Sequence, residues 1–231
     1  MQRLFLPTLT SLFTVIGLVA GIWSLSAFGY ELIADRLAIT DGYNGGPVVF
    51  SLYYAVFCGL AVMLFHPSLS KWARGAAPPE DRLAPVFMAL LCALFAFAVL
   101  PFLPEARIPT EDRVDPIVVA RSWYFLPKSV EVAFQQILIT ALVVVLAVRG
   151  LRTWQIAVLT ALLFGGFHLT LALSGANPFY VLRYTIAATL FGAIAPYQML
   201  RMRNGFVYSY ALHWGWYALD TTIWRLVFPA T

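Results

Sequence analysis

The sequence predicts an all-α, multi-pass transmembrane helical bundle of about seven spans, and three observations predict it. Of the 231 residues, 61% are hydrophobic and only 11% charged, where soluble domains carry roughly 25% charged residues. Mean hydropathy is +0.80. The apolar residues gather in runs long enough to cross about 30 Å of hydrocarbon, which takes about 20 helical residues. Such runs lie near 5–30, 47–66, 84–104, 128–148, 154–174, 179–200 and 206–228. No internal repeat or low-complexity segment divides them, so residues 1–231 are expected to form one integral membrane domain.

Each run has its own boundaries. The first follows Arg3 and reaches Tyr30, too long for a signal-peptide core of about 7–15 residues, and is therefore taken as a retained first span. Residues 31–46 then carry Asp35, Asp41 and the turn signal Asn44-Gly45-Gly46. Residues 66–82 hold Lys71, Arg74, Arg82 and the breaker Pro78-Pro79. The longest connection, 104–127, is charged in its middle and ends on Trp123-Tyr124-Phe125, aromatics expected at headgroup depth. The later connections, 149–152, 174–178 and 201–205, are short. With the amino terminus inside, the inner segments carry eight Lys and Arg and the outer ones six. That bias points to the cytoplasmic membrane with a cytoplasmic amino terminus.

The net charge of +4 rests on 13 Arg and 2 Lys, placed mostly at the ends of apolar runs. They anchor the chain among membrane lipids. No basic face with interleaved aromatics exists, so no nucleic acid is expected as a partner. Cys58 and Cys92 both fall inside apolar runs and are expected as buried packing thiols.

Function is sought among the polar residues inside the spans, because an ionisable group at the bilayer centre costs about 2.5–3.5 kcal/mol. Glu131 and Gln135 are i and i+4 at the start of the fourth span, one turn past Lys128. Glu131 either faces a bundle cavity or snorkels to the interface with Lys128. His168 ends the run Phe164-Gly165-Gly166-Phe167-His168, whose glycines let a neighbouring helix approach. In the seventh span His213, Tyr217 and Asp220 share one stripe. Alternatively, Asp220 pairs with Arg225 near the far interface. Arg183 is expected to snorkel, and Gly192 with Pro196 to kink the sixth span.

No His-Glu-x-x-His, Gly-x-Ser-x-Gly or facing aspartate pair is present. What remains is Glu131, His168 and His213, from three helices. Two imidazoles and a carboxylate can ligate a divalent metal such as zinc with an open fourth position. They can equally supply a general base and neutral donors to an oxyanion. The residues leave both open.

Phe164-x-x-x-His168, then Arg203-Asn204-Gly205-Phe206 leading to Ala211-Leu212-His213, resemble the second and third motifs of the CPBP family. These are the type II CAAX prenyl proteases and bacteriocin-processing enzymes, multi-pass intramembrane endopeptidases. The resemblance covers about residues 120–222. It implies that Glu131 activates a water, alone or with a metal held by Glu131, His168 and His213, and that His213 with Tyr217 stabilises the oxyanion. It implies a membrane-embedded or lipidated peptide substrate entering laterally or beside 104–127. The chain departs from the family's first motif, a Glu-Glu pair followed by x-x-x-Arg: aligned on Phe134, Val130 stands at the first Glu and Gln135 at the Arg. Tyr217 stands where the third motif often has Asn. These departures also admit a non-catalytic relative that binds a membrane-protein partner.

Overall fold

A computed structural model describes residues 9–72, 81–107, 117–174 and 176–230. The amino-terminal arginine, the Pro78-Pro79 breaker and the charged middle of the 104–127 connection lie outside the described residues. The elements are α1 (Leu9–Arg36), a single turn α2 (Gly42–Gly45), α3 (Pro47–Lys71), α4 (Ala84–Leu94), α5 (Phe125–Val148), α6 (Thr153–His168), α7 (Pro178–Arg201) and α8 (Gly205–Val227). Among the described residues the only extended pairing is one bridge, Ala106 to Pro229. The protein is an all-α, multi-pass membrane bundle.

Local sequence sets the ends of these helices. Pro47 and Pro178 each sit in a first turn, where a missing N–H costs nothing. Asn177 caps α7 by accepting from the Phe179 N–H at 2.8 Å. Beyond α4 the chain widens into a π-helical turn, Phe95–Val99, and closes at Leu100–Phe102 around Pro101. His168 is the last residue of α6, which tightens into a 3-10 segment, Leu169–Ser174.

Among the described residues, six helices are long and apolar enough to cross a membrane. The helix α8 has the length, at 23 residues, but carries His213, Asp220 and Arg225 and is not among the six. The helix α5 is the buried axis. Within its span 67% is enclosed by the bundle, against 17–33% for the other five. It also begins earlier than hydropathy suggests, because the turn Ser122–Tyr124 leads straight into it. Of the aromatics expected at headgroup depth, only Trp123 is exposed, while Tyr124 and Phe125 are buried against the bundle.

The connections at one end are stitched together. Asn44 donates from Nδ2 to the Val119 carbonyl and accepts the Arg121 N–H on Oδ1, at 3.1 and 3.0 Å. Arg225 donates to the carbonyls of Leu100 and Ala120, so it serves backbone rather than Asp220. This stitching holds α2 over the mouth of the bundle, above the start of α5.

Candidate functional site

The first turns of α5 place Lys128, Glu131 and Gln135 on one face, by i,i+3 and i,i+4 spacing. Glu131 is enclosed by the bundle, its side chain 14% exposed, and it pairs with Lys128. Oε2 accepts from Lys128 Nζ at 2.5 Å and from the Tyr43 hydroxyl at 2.9 Å, and Oε1 accepts from Gln135 Nε2 at 2.9 Å. The Tyr43 and Tyr54 hydroxyls are 3.0 Å apart, so a phenol chain runs from α3 through α2 to the carboxylate. Burial, reinforced by the Glu131 charge, pushes the Tyr43 phenol well above its ordinary 10.0. Tyr43 thus stays protonated and donates.

The Lys128 ammonium rests on aromatic faces, 4.4 Å from the Tyr217 ring centre and 5.1 Å from that of Tyr43. Sequence spacing made Tyr217 a companion of His213, and the two rings are indeed 5.8 Å apart. Yet its face is also spent on Lys128.

His168 Nδ1 lies 2.8 Å from the Phe164 carbonyl oxygen. A carbonyl only accepts, so Nδ1 carries the proton and Nε2 keeps its lone pair. His213 sits mid-helix in α8, buried between the rings of Phe164 and Phe191, at 5.6 and 4.6 Å. Its Nδ1 has no hydrogen-bond partner.

These groups face two adjoining cavities. One, of about 270 Å³, is walled by Glu31, Glu131, Lys128, Gln135 and a set of tyrosines, with His168 at its side. The other, of about 240 Å³, lies between α6, α7 and α8 and takes in His168 and His213. His168, Tyr184 and Tyr217 line both and form the partition. Glu131 and His168 therefore share one space, and His168 and His213 share the next. Glu131 and His213 share none.

That arrangement does not suit the metal the resemblance implies. Among the described residues no three His, Cys, Asp or Glu side chains are grouped to hold an ion. The Glu131 carboxylate already faces an ammonium, which takes the place a cation would need.

Two further expectations change. Asp220 pairs with Arg183 across α7 and α8 at 2.6 Å, and accepts from the Tyr184 hydroxyl at 3.3 Å. Arg183 does not snorkel to the interface; its side chain is 18% exposed and its guanidinium lies over the Tyr184 and Trp224 rings. Sequence reasoning also missed Tyr43, Tyr54 and Tyr184. Their signal was the density of tyrosines beside the 31–46 turn and at the start of the sixth span.

Set against protein-family models, curated proteins and solved structures, the chain matches none. The class that fold and site define is a membrane-embedded helical protein with an acid–lysine pocket beside a histidine pocket.

Proposed function

We propose that this protein is an intramembrane endopeptidase of the CPBP kind, acting in the cytoplasmic membrane on a membrane-embedded or lipidated peptide. The observation that carries the proposal is the shared cavity of Glu131 and His168, with the His168 Nε2 lone pair left free by the Nδ1 bond to Phe164. A neutral imidazole in that tautomer is a general base. Nε2 takes a proton from a water whose oxygen attacks the peptide carbonyl carbon. The same proton then passes to the departing amine nitrogen as the C–N bond breaks. Lys128 supplies the positive charge toward the developing oxyanion, and Glu131 keeps that ammonium in place. Glu131 is thus the counter-ion rather than the base.

A second reading, a non-catalytic relative that binds a membrane protein, draws on a different fact. All three donors to Glu131 are already in position, and Val130 and Gln135 occupy the family's Glu and Arg positions. The test is cleavage of a single-span peptide and of a lipidated peptide by protein in nanodiscs, read by mass spectrometry. Cleavage by wild type that falls about 10²- to 10⁴-fold in His168→Ala supports the enzyme. No cleavage of either peptide, or equal cleavage by the variant, overturns it in favour of binding.

A further inference from the structure

The 240 Å³ cavity between α7 and α8 differs in chemistry from the acid cavity beside it. None of its lining residues is Asp, Glu, Lys or Arg. Its rim is formed by Leu190, Ile194 and Leu212, all exposed on the surface of the bundle that faces the bilayer. Its depth is walled by the rings of Phe164, Phe191 and Trp216. The polar groups it offers are few. His168 presents an accepting Nε2, as derived above. His213 is 6% exposed and makes no hydrogen bond among the described residues: its Nδ1 is enclosed and unpartnered, which leaves Nε2 as the atom that can meet a ligand oxygen.

Buried polar groups are nearly always hydrogen-bonded, and leaving them unpaired in hydrocarbon is costly. A ligand carrying a permanent charge would find no counter-charge in this space. A pure alkane would leave the imidazole unpartnered. A neutral molecule with one hydroxyl or carbonyl oxygen on an apolar tail meets both requirements. It can also arrive through the apolar rim from the lipid itself.

We propose that this cavity is a binding site for an uncharged, membrane-soluble lipid whose single hydroxyl or carbonyl oxygen is hydrogen-bonded by His213, the tail leaving between Leu190 and Leu212. A membrane helix is too wide for the space, as an α-helix with side chains is about 10–12 Å across. His168 lines both cavities, but the lipid oxygen is assigned to His213 alone, so the loss of lipid binding would leave the hydrolysis reading standing, and the converse.

The test uses full-length protein in nanodiscs and three probes: a bromine-tagged dodecanol, the matching bromoalkane and the matching alkyl phosphate. Bromine quenches nearby tryptophan, and Trp216 lines the cavity. The expected result is saturable quenching by the alcohol alone, lost in amplitude in Trp216→Phe and weakened about tenfold in affinity in His213→Phe, which keeps the ring but not the hydrogen bond. Ala187 also lines the cavity, and Ala187→Leu, which narrows it while keeping both imidazoles, should weaken binding to a similar degree. Equal saturation by the bromoalkane would mean simple partitioning and overturn the proposal. So would saturable quenching by the alkyl phosphate, or wild-type affinity for the alcohol in both His213→Phe and Ala187→Leu.

Discussion

The Lys128–Glu131 pair carries the chemistry of the site at the scale of single residues. Its members are 10% and 14% exposed, and each is satisfied by the other and by tyrosines. Removing one partner of a buried pair leaves an uncompensated charge and costs about 3–5 kcal/mol, whereas replacing both can be nearly neutral. Thermal unfolding in detergent should therefore show Lys128→Met strongly destabilised and Lys128→Met/Glu131→Gln largely recovered. A double variant no better than the single one would mean that the two side chains do not act as a pair. Tyr43 adds a pH dependence whose sign is fixed. Its folded phenol ionises well above 10.0, while the unfolded phenol ionises near about 10. Above that value the unfolded chain loses a proton that the folded chain keeps, so stability falls as pH rises past it. In Tyr43→Phe that alkaline decline, followed by thermal unfolding from pH 8 upward, should be shallower.

Helix contacts decide what the next scale holds together. Gly192 of α7 lies so close to α6 that an added methyl would fall 2.7 Å from the Thr160 carbonyl oxygen and 2.9 Å from the Ala161 Cα. Thr160 Oγ1 donates to the Gly192 carbonyl at 2.5 Å, which fixes the register of the two helices. Both close contacts are with backbone, which cannot rotate away. Gly192→Ala should then cost about 1–3 kcal/mol as overpacking, measured by thermal unfolding. Gly166→Ala, whose methyl would meet nothing within 4 Å, should be close to neutral. This contrast marks how far the sequence could be read. The spans were legible from hydropathy because bilayer thickness sets helix length, and Glu131, His168 and His213 were legible because polar groups in apolar runs are rare. The partner of Asp220 was not. Spacing along α8 offers Arg225, but the pairing runs to Arg183 on α7, and only the packing of two helices 37 residues apart reveals it. Tyr43 was hidden for the same reason, since its carboxylate lies 88 residues away. Of the two glycines before His168, only Gly165 is packed against a neighbour, Thr189.

The whole molecule adds a direction to the site. With α8 counted as a crossing beside the six apolar helices, the start of α1 and the end of α8 fall on opposite sides. The 37–46, 103–107 and 117–124 connections, with the segment after α8, lie at one end, joined there by Asn44, by Arg225 and by the backbone bond from Arg107 N–H to the Phe228 carbonyl. At the other end the 81–83 and 202–204 segments meet, where the Asp81 N–H donates to Asn204 Oδ1 at 2.5 Å and Arg203 lies 3.8 Å from Asp81. Arg82, Arg149, Arg152 and Arg201 gather at this second end. The bias of Lys and Arg toward the cytoplasm predicts that this is the inner end, and that the other end, where Glu31 and Tyr43 line the acid cavity, faces outward. In right-side-out membrane vesicles of a variant with Cys58 and Cys92 replaced by alanine, a membrane-impermeant maleimide should label a cysteine introduced at Asp41. The same reagent should leave a cysteine at Gly150 unlabelled until the vesicles are opened. The reverse pattern would turn the cavity toward the cytoplasm. Any peptide reaching Glu131 and His168 from water would then have to come from that compartment.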